Sequence, residues 1–389
     1  MEWYILPKAM QFVIDDVGWW RGKNEVESNG PYRTNISRDH CIEDYAAVIE
    51  LGKRLNMRPF CAFILCEWDK EGILRECPTS QWMGKNWANN LPVEPMEAAA
   101  ALLNANRDHI EIALHGIGHE YWPLDTGIGE RAEFADNNGD MRPEPDVRRH
   151  LEYFGKIMDM HKLGPYPISI FPPAARYKYS PKTKGLAYIL SQYGIKYVTL
   201  PINGGWRDAP MLAPTFSVEH DILVIDRNHD LFDHKEIGPT DQIEKLYMLT
   251  NSVIGMHWPN VLHQDPKRNL EIVDKWVEAI KTLEDDFGIC LGRDSAHAFS
   301  QEPYRWGTTI WIENGGTMVF DFEKVDALGV SGIINEFYFK TTVRLQEGMH
   351  NGITVSPPTL QGKKPYYLYT LKRADKSVRA SIELPQMFL

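Results

Sequence analysis

Residues 10–16 read MQFVIDD, an apolar run broken only by Gln11 and followed at once by two carboxylates. A short, nearly continuous apolar run is what a parallel strand covered on both faces requires. Acids placed directly after such a run stand at the strand's carboxyl end, where parallel barrels gather their active sites. An Asp-Asp pair also serves as a helix cap or a turn, so Asp15 and Asp16 gain meaning only from the rest of the chain.

Outward from this stretch the same texture recurs in PFCAFIL (59–65), IEIALHG (110–116), PISIFP (167–172), IKYVTLPI (195–202), DILVID (221–226), SVIGMHW (252–258) and GICLG (288–292). Amphipathic helical patterns lie between them at 42–56, 95–106, 146–162, 181–193, 241–252 and 268–287. Strand–helix alternation predicts an α/β fold, a parallel sheet with helices outside it. Seven or eight strands in about 290 residues favour a (β/α)7–8 barrel over an open sheet. Beyond residue 300 the period changes from 3.6 to 2, in TTIWIE (308–313), TMVFDF (317–322), EFYFKTTVRL (336–345), YYLYTL (366–371) and VRASIEL (378–384). These runs predict antiparallel strands without a helix. The expected organisation is a barrel over 1–300 and a C-terminal β-rich accessory region over 301–389.

The chain has 389 residues, 43% hydrophobic and 24% charged, so it can bury a large core and is neither disordered nor fibrous. Its formal charge of −11 repels phosphate backbones, which makes nucleic acid an unexpected partner. No window approaches the ~20 apolar residues of a membrane span. The first residues lack the layout of a signal peptide, so a cytoplasmic location is expected. Five cysteines without a CxxC pair read as reduced, mostly buried thiols. The sequence is compatible with a homo-oligomer and does not determine one.

The second cluster of chemistry is His115-Gly116-Ile117-Gly118-His119, directly after IEIAL. Two glycines let the backbone turn so that His119 swings back toward His115. Two neutral imidazoles meeting near Asp16 would make an oxygen–nitrogen–nitrogen site for one divalent metal ion, zinc by default, with iron, cobalt or nickel also compatible. The spacing alone is weak, since 13 histidines produce about 0.4 such pairs by chance. Its weight comes from the strand end and the matching acids. The base glutamate of a zincin motif is absent; Gly116 stands in its place. His257 ends a third strand and has the near-neutral pKa that suits a general acid. Trp19, Trp20, Trp82, Trp87, Tyr121, Trp122, Trp206 and Trp258 fall in or near the expected mouth loops; Trp19, Trp20 and Trp258 are the candidates for a sugar platform. His229 and His234 read as a polar loop. The long connections 66–94 and 117–145 are candidate binding walls.

With these motifs in this order, the chain resembles the NodB-like polysaccharide deacetylases, the group around carbohydrate esterase family 4, over roughly residues 8–300. The resemblance implies a distorted barrel of the glycoside hydrolase/deacetylase type. It also implies an enzyme that hydrolyses an amide bond of an N-acetylated sugar and releases acetate. Carried over residue by residue, Asp15 is the base, Asp16, His115 and His119 are the metal ligands, and His257 is the acid. The partner is then a carbohydrate; a small non-sugar amide or ester, or a barrel that binds carbohydrate without catalysis, are the alternatives. Three departures stand out. Gly116 replaces the family's Ser or Thr. FPPAAR places Phe171 where an Arg precedes the prolines, leaving Arg176 as a candidate substitute at the substrate. Asp230-Leu-Phe-Asp233-His234 matches the DxxDW stretch loosely.

Overall fold

The computed structural model describes residues 3–201, 215–227, 252–313, 316–361, 366–375 and 377–385. The chain begins with β1 (Tyr4–Ile5) and continues through β2 (Ala9–Val17), α1 (Ile42–Leu55), β3 (Phe60–Phe63), α2 (Val93–Ala105), β4 (Glu111–Leu114) and α3 (Glu144–Met160). Next come β5 (Ser169–Ile170), α4 (Leu186–Gln192), β6 (Tyr197–Leu200), β7 (Phe216–Glu219), β8 (Ile222–Asp226), β9 (Val253–His257), α5 (Asn269–Phe287), β10 (Cys290–Leu291) and α6 (Ser295–Gly307). All nine residues of β2 are buried, as its apolar run requires. The expected helix over 241–252, Trp206, and the stretch holding His229, Asp230, Asp233 and His234 lie outside the described residues.

The sheet runs β9-β2-β3-β4-β5-β6-β8 in parallel, with β10 beside the start of β2. Side chains alternate across it. Phe12 and Ile14 of β2 join the outer cluster with the helices, where Phe12 meets Trp276 of α5 edge to face. Ala9 and Val13 join an inner cluster with Phe60, Ala62, Ala113, Leu223 and Val253. Helix α5 buries Ile272, Val273, Trp276, Val277, Ile280 and Leu283, a stripe repeating at three and four. Each such fully buried side chain contributes about 1.5–3 kcal/mol.

The sheet is strongly curled. β8 and β2 are five strand spacings apart, roughly 24 Å along a flat sheet. Yet Arg227, the residue after β8, reaches Asp15 of β2 with Nη2 2.5 Å from Oδ2. Only a sheet rolled back on itself brings those ends together.

Strand β7 was not expected. It pairs antiparallel with β8 through a two-residue turn, His220 and Asp221, both with positive φ (46° and 65°). That backbone usually marks itself in a sequence with Asn-Gly or Gly, and neither is present here.

The C-terminal region holds β11 (Thr309–Glu313), β12 (Thr317–Asp321), α7 (Glu323–Asp326), β13 (Glu336–Thr341), β14 (Gly348–His350), β15 (Ile353–Val355), β16 (Thr359–Gln361), β17 (Tyr366–Arg373) and β18 (Arg379–Glu383). Together with β1 these strands form one sheet of six and one of three, with antiparallel pairing throughout. Two features depart from the expected division at 300/301. β1 pairs with β13, so the start of the chain belongs to the C-terminal sheet. The boundary itself falls inside α6, which is buried on both sides. Phe299 packs in the inner cluster of the parallel sheet, while Tyr304 packs with Phe320, Phe337 and Phe339 of the other sheets. The four-residue α7 also interrupts what read as strands alone. Cys61, Cys66, Cys77 and Cys290 are buried free thiols, and burial pushes those of Cys61 and Cys66 up. Among the described residues no helix is long and apolar enough to cross a membrane.

Candidate functional site

The carboxyl ends of β2, β4 and β9 open into one cavity of about 480 Å³, lined by Asp15, Asp16, His115, His119 and His257 among others. Register explains how Asp15 and His257 meet: they are direct partners across β2 and β9. Asp15 and Asp16 are neighbours on a strand and should point to opposite faces. A register shift between Ile14 and Val17 and a left-handed backbone at Asp16 (φ 62°) turn both carboxylates into the cavity.

His115 begins the loop after β4. Its Nδ1 lies 2.6 Å from the carbonyl of Phe171. A carbonyl only accepts, so Nδ1 carries the proton and donates it. The other nitrogen, Nε2, then faces Asp16 Oδ1 at 3.4 Å, inside a buried site where that oxygen has no hydrogen-bond donor. Two buried lone-pair groups at that separation need a positive species between them. A proton would satisfy the pair alone. His119, however, closes a set of three donor atoms all within 4.8 Å, the arrangement a metal ion uses.

The HGIGH loop is held by a residue that sequence reasoning missed. Glu133, fully buried, accepts hydrogen bonds from the backbone of Ile117 (3.0 and 2.8 Å) and Gly118 (3.0 Å). A Cβ at Gly116, where φ is 105°, would sit 2.3 Å from Glu133 Oε2. The glycine in place of Ser or Thr is thus the space Glu133 occupies. His150 in turn donates to Glu133 at 3.0 Å. His119 is steadied by Glu120, whose Oε1 lies 3.3 Å from Nδ1 and also accepts from Tyr32 N at 3.0 Å; the Tyr32 ring stacks on the imidazole. Such outer partners set which imidazole nitrogen faces a ligand.

Charges follow from this geometry. Burial raises the Asp15 carboxyl above its usual value, against the opposing pull of Arg227. Burial also acts to raise Asp16, but the two imidazoles outweigh it and hold that carboxyl well below the usual range. For His119, burial acts to lower the value; Glu120 outweighs it and raises it. His150 is similar: burial lowers it, but Cys77 and Glu133 push it up to about 10. A folded-state value above the unfolded one means stability present in full below about pH 6.5 and lost as pH rises toward 10. With chelator present, melting temperature should therefore fall between pH 7 and 10. The His150→Asn variant should lose that slope and start about 3–5 kcal/mol less stable, because Glu133 is left buried without its cation. An unaltered slope in the variant would assign the dependence elsewhere.

Among solved structures, three similar chains carry carbohydrate esterase or deacetylase descriptions. One is a family 4 carbohydrate esterase from Streptomyces lividans in complex with acetate, 13% identical over 73% of this chain and 92% of its own, TM-score 0.32. A second, from Mycobacterium smegmatis and assigned as a polysaccharide deacetylase, is 9% identical over 73% and 93%, TM-score 0.36. A third, from Parabacteroides distasonis and assigned as a glycoside hydrolase/deacetylase, is 12% identical over 95% and 86%, TM-score 0.44. No protein-family model and no curated protein matches the chain.

Arg227 is the second residue the sequence reading missed, although its place directly after DILVID was a signal. Its guanidinium lies 4.0 Å over the Phe171 ring, and that ring also stacks on His115. Phe171, standing where the resemblance led one to expect Arg, supports an arginine brought from another strand. Arg176 is half-buried beside the cavity and is not part of its lining.

The sugar platform is a correction. Trp19, Trp20 and Trp258 are 0%, 6% and 0% exposed and belong to the core. Trp258 stacks on His40 at 4.0 Å, Trp20 packs against Tyr45 and Trp68, and Trp19 lies under Arg33. Large apolar area wins them a place inside rather than at the surface. Of the aromatic residues named for the mouth, Trp122 lines the cavity. The loop 117–145 does form a wall, with His119, Glu120, Trp122, Ile128, Gly129 and Arg131; Val26, Asn29, Gly30 and Tyr32 adjoin it, and none of the described lining comes from 66–94.

Proposed function

We propose that the protein is a metal-dependent hydrolase on a distorted (β/α)7–8 barrel that removes the acetyl group from the nitrogen of an N-acetylated sugar. One observation carries this reading: Asp16, His115 and His119 form a buried three-donor set within 4.8 Å, with Asp15 and His257 paired across adjacent strands beside it. Asp16, His115 and His119 would hold a divalent cation, zinc first and iron, cobalt or nickel also compatible, which would polarise an acyl carbonyl and make a water more acidic. Asp15 takes the proton of the attacking water, and its burial and raised pKa keep it a competent base. His257 gives a proton to the departing nitrogen. Backbone N–H groups at the strand ends are the natural partners of the developing oxyanion. The Arg227 ion pair orients Asp15, and Phe171 supports Arg227 with its ring and His115 with its backbone carbonyl, so one residue steadies both the base and a metal ligand.

The test is acetate release from N-acetylglucosamine oligomers by zinc-loaded protein, followed with an enzyme-coupled acetate assay. Metal-dependent release abolished by chelator is expected. Turnover of amides other than acetamides, with no acetate from any acetylated sugar, would replace the deacetylase assignment with a different amide hydrolase.

A further inference from the structure

The cavity is closed on one side by its own loops. Asn29 Nδ2 donates to the Gly127 carbonyl at 2.9 Å, and Gly129 N donates back to Asn29 Oδ1 at 3.5 Å. Tyr32 N donates to Glu120 at 3.0 Å beneath this clasp. A polymer lying across a site needs a trough open at both ends, and this clasp shuts one of them. A volume of about 480 Å³ is that of a pocket for a small molecule.

Part of the lining is apolar. Val26, Ile128, Phe171 and Ala174 are apolar, and both amide atoms of Asn29 are committed to the clasp. Of the three acids of the cavity, Asp15 is paired with Arg227 and Glu120 with His119, while Asp16 belongs to the three-donor set. Arg131 is different. It lines the cavity, is exposed, and makes no hydrogen bond or ion pair among the described residues. A cation that lines a cavity without an ion-pair partner among the described residues is a place for an anion to bind.

Resting on the hydrolase reading above, we infer that the substrate is a compact N-acylated amine of monosaccharide size bearing a carboxylate or phosphate that pairs with Arg131. Arg131 then determines specificity and takes no part in bond breaking. A guanidinium pairs with either anion through a charge-assisted fork, and the apolar wall accepts the rest of the molecule.

The experiment compares metal-loaded wild-type protein with the Arg131→Ala variant. The probes are N-acetylglucosamine, N-acetylglucosamine 6-phosphate, N-acetylmuramic acid and chitohexaose. Calorimetric binding and acetate release are read separately, and the two charged probes distinguish phosphate from carboxylate. At least one charged probe should bind about tenfold more tightly than the neutral monosaccharide, as a charge-assisted contact provides. That ratio should shrink with added salt and fall to about one in Arg131→Ala. Equal binding of charged and neutral probes, a preference for chitohexaose, a ratio that survives in Arg131→Ala, or no binding of any probe would each overturn the inference. Charge-dependent binding without acetate release would leave the inference standing and overturn the deacetylation reading.

Discussion

Zinc-loaded Asp16→Asn is expected to retain less than a tenth of the bound metal after dialysis, and acetate release should fall with it. Asn keeps the side-chain length and tolerates the left-handed backbone at this position (φ 62°), so the fold survives the change. What it loses is the anionic oxygen 3.4 Å from His115 Nε2. Outer partners of metal ligands typically alter affinity about 10–100-fold; loss of a ligand oxygen should exceed that. His119→Ala should behave alike, whereas Glu120→Gln should sit inside the outer-partner range. Metal content by elemental analysis, with melting temperature to establish folding, decides it. Stoichiometric metal in a folded Asp16→Asn would remove the proposed centre.

Asp15→Asn should behave in the opposite way on one axis. It keeps the three donors, so metal stays bound, but turnover per bound metal should drop about 10²–10⁴-fold, the usual contribution of a positioned base. The variant should also be less stable, because Arg227 is 2% exposed and loses its carboxylate partner at 2.5 Å. An uncompensated buried charge costs about 3–5 kcal/mol, so rates must be taken well below the lowered melting temperature. Wild-type turnover in metal-loaded Asp15→Asn would refute the base assignment.

Much of the fold and part of the site were legible before any coordinates. The apolar runs at 10–14, 59–65, 110–116 and 221–226 are strands, and the stripes at 42–56 and 268–287 are helices, because burial on a given face is written directly into a period of two or 3.6. Asp15, Asp16, His115 and His257 line one cavity because each closes, or directly follows, a parallel strand, and parallel strands put their carboxyl ends on one side; His119 joins them at the end of the HGIGH loop. The harder cases involve partners far apart in the chain. The tryptophans near the mouth read equally well as platform or as core, since an indole suits both; the neighbours that cover it are chosen in three dimensions.

Taken by itself, the chain determined the parallel α/β pattern, the β-rich C-terminal stretch and the five side chains at the strand ends, since local periodicity and turn chemistry act over a few residues. Only the tertiary structure decided that Arg227 neutralises Asp15, that Phe171 aims His115, that Glu133 braces the HGIGH loop and that Trp19, Trp20 and Trp258 vanish into the core. The physical reason is range: ion pairs, tautomers and burial depend on which distant segments the curled sheet brings within a few ångströms, and no single stretch of sequence carries that distance.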